Sequence, residues 1–311
     1  MSTMNIGVIG TGAMGKNHIR IYNELKSVNS VYIYDIDKRA AQDIEKDYDG
    51  LGDVYACDSI NTLIDNIDAI SICVPTQFHK STAMMILSIN EHIPMLIEKP
   101  ICASTRDSIE LVKEIPTDLI CGIGHVERFN PIIPELNKII VDPLYVEFKR
   151  HNPSSSRMMG TDVIEDLMIH DIDIMRYLFG AEPSSIYGVG NRDIFDATIT
   201  IGKMPVHLSA SRKSSKKIRS IYIEMEEFTV DADYMSQEIT IYSKPDRYNF
   251  DNERYTQENV VEKVMVTKKE PLKEELKTFI DCIAYNQFFP VSLNDGANAM
   301  LICEELKDFI R

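Results

Sequence analysis

Three glycines, a strand-end lysine and an acid-histidine pair are the residues whose types and spacing could do chemistry. Residues 5–15 read Asn-Ile-Gly-Val-Ile-Gly-Thr-Gly-Ala-Met-Gly, so Gly10, Gly12 and Gly15 satisfy G-x-G-x-x-G directly after an apolar run. In such a loop the first glycine permits a tight turn, the second leaves room for a pyrophosphate, and the third allows close packing of helix on strand. The N–H groups that open the following helix, in the stretch holding Thr11, Ala13 and Met14, then face the phosphates. Asp35 lies 20 residues beyond Gly15, where a carboxylate can accept both hydroxyls of an adenosine ribose. Its negative charge opposes a 2′-phosphate, so the pattern favours NAD over NADP even though Lys38 and Arg39 follow closely.

Two further features suit proton handling. Ile97-Glu98-Lys99-Pro100 closes another apolar run, and the carboxyl end of a parallel strand is where open α/β sheets bind ligands. Pro100 restricts the backbone of Lys99. Residues 162–173 have helical character, with Asp166 and His170 four apart on one face and Asp173 a turn further on. Histidine is the side chain whose ordinary pKa suits proton transfer near neutrality.

These groups need a scaffold, and the chain has a two-part rhythm. Apolar runs at 5–9, 31–34, 69–74, 95–97 and 119–122 alternate with helical spacing, as in 79–90. That is the pattern of a doubly wound parallel sheet covered by helices on both faces. After residue 122 come helices near 131–140 and 162–178, then alternating runs at 185–190, 197–201, 207–211, 218–225, 228–232 and 238–242. Short turns between them imply a mainly antiparallel sheet. Helical spacing returns at 271–285 and 295–310. The expected fold is α/β: a Rossmann domain with a doubly wound parallel sheet over 1–121, then an α+β domain with a mainly antiparallel sheet over 122–311. The last helix is expected to pack back on the first domain.

Composition narrows the partners. In 311 residues, 33 basic against 48 acidic side chains give a net charge of −15, which disfavours a nucleic-acid backbone as ligand. A small anion needs only a local set of donors. The cysteines at 57, 73, 102, 121, 282 and 303 have no C-x-x-C or zinc spacing, and the histidines show no ligand spacing, so no metal is expected. No apolar run reaches the roughly 20 residues of a spanning helix. The N-terminus lacks a basic region and a cleavage site, so a cytoplasmic location is expected.

Taken together, G-T-G-A-M-G, E-K-P and D-x-x-x-H resemble the glucose-fructose oxidoreductase, inositol dehydrogenase and MocA family over essentially the whole chain. The resemblance implies a nicotinamide cofactor and oxidation of a sugar or cyclitol hydroxyl. It makes Lys99, Asp166 and His170 catalytic and implies a cis Lys99–Pro100 bond. It also lines the cofactor with Glu98, Lys99 and Pro100, and with Val74, Pro75, Thr76 and His79 from V-P-T-Q-F-H. Residues 124–131 and 166–173 are similar to the nucleotide-sugar branch that oxidises the 3-hydroxyl of UDP-N-acetylglucosamine. Met168 stands where many members have Gly, and His125 where many have Tyr, which disfavours inositol or free glucose. An inositol or free-sugar dehydrogenase and a non-catalytic dinucleotide sensor are the alternative readings. The family's use of its second-domain sheet for assembly implies a homodimer or homotetramer.

Loss of a hydride from a secondary alcohol also releases a proton. His170 is assigned as the base, with Lys99 hydrogen-bonding the same oxygen and Asp166 orienting a neighbouring hydroxyl or the lysine. The reverse split, with Lys99 as base, is chemically open. A nucleotide-sugar diphosphate needs cationic donors, for which Arg150, Arg157 and Arg212 are the candidates, while His125 and Arg128 are further expected substrate-binding residues.

Overall fold

The computed structural model describes residues 3–153, 161–180, 182–244, 248–251, 254–257 and 260–311. The chain divides into two compact units, Met1–Phe129 with Glu270–Leu301, and Asn130–Lys269 with Ile302–Arg311.

The first unit runs β1 (Met4–Ile9), α1 (Ala13–Glu24), β2 (Val28–Tyr34), α2 (Lys38–Asp47), β3 (Val54–Ala56), α3 (Ile60–Ile64), β4 (Ala69–Ile72), α4 (His79–Ile89), β5 (Met95–Glu98), α5 (Thr105–Glu114) and β6 (Cys121–Gly124). All six strands are parallel in the order β3-β2-β1-β4-β5-β6. Ile6, Val8, Ile70, Ile72, Leu96 and Ile97 are fully buried, as central parallel strands covered on both faces must be. The strand order reverses between β1 and β4, so their carboxyl ends flank the crevice where such sheets take ligands.

The second unit contains α6 (Ile132–Ile139), β7 (Tyr145–His151), α7 (Ile169–Phe179), β8 (Ser185–Gly190), β9 (Ile194–Ile201), β10 (Met204–Ser211), β11 (Ile218–Glu224), β12 (Phe228–Asp233), β13 (Glu238–Ser243), β14 (Tyr248–Asp251), β15 (Arg254–Gln257) and β16 (Val261–Val264). Eight strands form one sheet in the order β16-β13-β12-β11-β7-β10-β9-β8, while β14 and β15 pair separately. Every pairing in the large sheet is antiparallel except β7 with β10. Alternation puts Phe148, Ile199, Leu208 and Ile221 in the core and leaves Tyr187 and Val189 of β8 exposed at 65% and 63%.

Two features depart from the sequence expectation. Strand β7 was not anticipated, yet it lies inside the large sheet: its inward positions are Val146, Phe148 and Arg150, and the charged residue breaks the apolar alternation. The second departure concerns α8 (Pro271–Ala284), which belongs to the first unit; the last helix, α9 (Leu293–Lys307), belongs to that unit only through Leu301. Phe289, between these helices, meets Phe279 edge-on at 6.0 Å and Phe129 at 5.5 Å. It also fills the space over Gly122 of β6, where an added Cβ would lie 2.1 Å from its ring. An amphipathic stripe reveals that a helix face is buried but not which layer buries it. Among the described residues, no helix is long and apolar enough to cross a membrane.

Candidate active site

At the end of β1 the glycine loop turns sharply. Gly10 has φ +90, and a Cβ there would lie 2.7 Å from the backbone of Cys73 and Val74 beyond β4. Its N–H donates to Tyr34 O at 2.9 Å, and Cys73 N–H donates to Ile9 O at 2.8 Å. At Gly15 a Cβ would stand 1.9 Å from Gly10 O, whereas at Gly12 it would meet nothing within 4 Å. Helix α1 starts with no side-chain cap and no acid in its first turn. Uncapped N–H groups beside an open glycine form a cradle for an anion, and the arrangement fits a dinucleotide pyrophosphate.

Asp35, at the end of β2, is held in place. Its Oδ2 accepts from Thr11 N–H at 2.7 Å and from Thr11 Oγ1 at 2.8 Å, and its Oδ1 accepts from Asp37 N–H at 2.9 Å. A carboxylate offers about four acceptor positions, so direct binding of one ribose hydroxyl is compatible with these bonds. Accepting two would require Thr11 to release one of its own.

Lys99 follows β5, and the Lys99–Pro100 bond is cis. Its N–H donates to Glu98 Oε2 at 3.2 Å, while Glu98 Oε1 lies 2.8 Å from His18 Nε2 of α1. Burial pushes the Glu98 carboxyl up, but the His18 hydrogen bond and the positive field of His18, Lys99 and His79 outweigh it and hold it low. His79 is buried with Nδ1 2.8 Å from Pro100 O and Nε2 2.8 Å from Val74 O, so it links the β4 and β5 loops. Burial pulls its imidazole down, against the opposing effect of both carbonyls. Pro75 and Thr76 lead into a short 3-10 turn before α4. Sequence reasoning missed His18; its signal is a polar residue on the buried stripe of α1 with Ile19, Ile21 and Tyr22.

In the second unit Asp166 and His170 straddle a junction. Ile164–Met168 is a π-helical turn that passes directly into α7, so the expected uniform α-helix is not what positions the pair. Such turns widen the helix and recur at functional sites. Asp162 Oδ1 accepts from the N–H groups of Ile164 and Glu165 at 3.0 Å each, and Lys307 pairs with Glu165 and, at 3.8 Å, with Asp162. Asp166 is buried and His170 half-buried.

The arginines divide sharply. Arg150 is 1% exposed and grips Asp171 of α7 through Nε at 2.9 Å and an Nη at 2.7 Å, with its guanidinium 5.0 Å from the Tyr234 ring centre. A fork committed to a buried carboxylate serves the core, which corrects its expected role as a diphosphate donor. Arg212 Nε lies 3.3 Å from Asp166 Oδ2, and an Nη donates to Thr161 O at 2.5 Å. It therefore stands on the acid of the site rather than open to a phosphate. Arg128 lies 3.6 Å from Asp295, and His125 is buried just after β6. Arg157 lies outside the described residues.

The comparisons with known proteins agree with this construction. Residues 4–121 match the model of the GFO_IDH_MocA oxidoreductase family, described as an NAD-binding Rossmann fold. The chain is 30% identical to UDP-N-acetylglucosamine 3-dehydrogenase of Acidithiobacillus ferrooxidans over 253 residues, 78% of each chain. It belongs to this family. Another family relative, the inositol 2-dehydrogenase/D-chiro-inositol 3-dehydrogenase of Halalkalibacterium halodurans, is 27% identical over 59% of this chain and 55% of its own. The solved structure of the A. ferrooxidans UDP-N-acetylglucosamine 3-dehydrogenase superposes with a TM-score of 0.86 at 26% identity, covering 100% of this chain and 98% of that one. As a member of the GFO_IDH_MocA family, the protein is an oxidoreductase with a nucleotide-binding first unit.

Proposed function

We propose that the protein oxidises the 3-hydroxyl of UDP-N-acetylglucosamine with NAD. The observation that carries this reading is the likeness, along most of both chains, to an enzyme named for that reaction. The glycine cradle holds the pyrophosphate and Asp35 a ribose hydroxyl; a 2′-phosphate there would meet the Asp35 charge. The bound nicotinamide supplies the hydride acceptor.

The remaining chemistry belongs to side chains. The His170 imidazole takes the proton of the substrate hydroxyl. The Lys99 ammonium donates a hydrogen bond to the same oxygen and stabilises its negative charge as the carbon-hydrogen bond weakens. Asp166, with Arg212 against it, orients a neighbouring hydroxyl. Arg128 and Arg157 are the proposed diphosphate donors, since Arg150 is committed to Asp171. The exposed face carrying Tyr187 and Val189 is proposed to pair with a second copy in a dimer or tetramer.

The test is to incubate purified protein with NAD or NADP and a panel including UDP-N-acetylglucosamine and myo-inositol, following reduction of the cofactor. Turnover of the nucleotide sugar with NAD is expected. Turnover of inositol alone would replace this reading with the cyclitol one, and dinucleotide binding without turnover of any alcohol would favour a sensor. Unchanged rates in Lys99→Ala and His170→Ala would remove the catalytic assignment.

A further inference from the structure

The short segment carrying Lys99 is held from two sides by buried histidines. On its amino side the Lys99 N–H donates to Glu98 Oε2 at 3.2 Å, and His18 Nε2 lies 2.8 Å from Glu98 Oε1. An ionised carboxylate only accepts, so His18 Nε2 is the donor of that pair. His18 is fully buried and Glu98 nearly so. The neighbouring strand leaves space for this carboxylate: a Cβ at Gly124 would come within 3.2 Å of Glu98 Cδ. On its carboxyl side, Pro100 O lies 2.8 Å from His79 Nδ1, and the same ring reaches Val74 O. Carbonyl oxygens also only accept, so a neutral His79 donates to one of them and a charged one to both.

Together these bonds fix the peptide group before Lys99 and the one after Pro100. The backbone between them sets the direction of the Cα–Cβ bond of Lys99, and so the volume its flexible four-carbon stem can sweep. We propose that Glu98 and His79 are positioning residues for Lys99, Glu98 through the Lys99 N–H with His18 supporting it, and His79 through the Pro100 carbonyl. Helices α1 and α4 thereby aim the ammonium, and neither histidine touches the reacting atoms. The proposal deepens the reading of Lys99 as the group that meets the substrate oxygen, and rests on it.

The experiment reads the Lys99 amide directly. Hydrogen exchange of isotope-labelled, cofactor-free protein is measured by NMR in wild type, His18→Leu and His18→Gln, with turnover measured in parallel. Losing the support of a charge-assisted hydrogen bond should speed Lys99 exchange about ten- to a hundredfold in His18→Leu. His18→Gln, whose amide can still donate to Glu98, should recover most of the protection. The rate constant kcat should follow the same order, with a loss of about a hundredfold at most. His79→Asn, which keeps a donor near the Nδ1 position, should lose less kcat than His79→Gln, which keeps one near Nε2.

Wild-type exchange at Lys99 in a folded His18→Leu protein would overturn the proposal, as would equal losses in the two His79 variants. If His18→Leu fails to fold, His18→Asn serves instead, because its shorter amide stays polar but falls short of Glu98. Unchanged turnover in Lys99→Ala would sink the underlying reading of Lys99, and the exchange rates would still decide whether the clamp exists.

Discussion

Arg212 Nε stands 3.3 Å from Asp166 Oδ2, with both side chains about 9% exposed. The pair gives the acid of the site a fixed cationic neighbour from the end of β10, and the same guanidinium ties Thr161 O, three residues before the π-helical turn. Arg150 does something different one strand away, closing on Asp171 in the core.

Substituting these two arginines should therefore separate stability from catalysis. Arg150→Met leaves Asp171 buried without its partner and should cost about 3–5 kcal/mol in chemical denaturation. The KM of the folded fraction for the nucleotide sugar should not rise. Arg212→Met should lower kcat as well as stability, because it releases Asp166. A KM rise confined to Arg150→Met would restore that residue to the diphosphate site.

The glycines of the loop should respond oppositely. A Cβ on Gly12 meets nothing within 4 Å, so Gly12→Ala should melt like wild type while losing affinity for NAD in a fluorescence titration. Gly15→Ala places its Cβ 1.9 Å from Gly10 O and should lower the melting temperature before any ligand is added. Equal melting temperatures for the two variants would contradict the packing described.

Asp35→Ala removes the acceptor held by Thr11 and Asp37. Dissociation constants should rise for NAD much more than for NADP, narrowing or reversing the preference. Parallel weakening of both dinucleotides would remove Asp35 from the ribose site.

Acid stability should depend on His79. Burial holds its folded pKa below the ordinary 6.5, so between the two values the unfolded chain binds more protons and stability rises with pH. The contribution is complete above the unfolded value and is lost as pH falls through the folded one. Glu98, held below 4.5, adds a loss of the same sign at lower pH. Melting temperatures recorded from about pH 7 to about pH 5 should fall in wild type and fall less steeply in His79→Gln. Superimposable slopes would rule out this source.

The sequence made local chemistry legible. Gly10, Gly12, Gly15 and Asp35 were read from their spacing along one strand-turn-helix-strand unit, and Lys99 from its place at a strand end, so the chain order carries their placement. Long-range pairing was hidden. Arg150 looked like a ligand donor because Asp171, which neutralises it, is 21 residues away on another element. The same inward charge disguised β7 as something other than a strand. The π-helical turn at Ile164–Met168 was also out of reach, since 3.6-residue periodicity over so few residues cannot register one wider turn.

Phe289 and α8 have a consequence for the order in which the protein can be made. On the ribosome, all six strands of the nucleotide-binding sheet emerge by Gly124, but the Phe289 ring that covers Gly122 of β6 arrives only after residue 270. In the interval the whole second unit up to Lys269 must be synthesised, and Gly122 and its neighbours stay without their cover. The cofactor unit therefore begins first and finishes late, so a nascent chain halted near residue 129 should present an apolar surface for chaperones to hold.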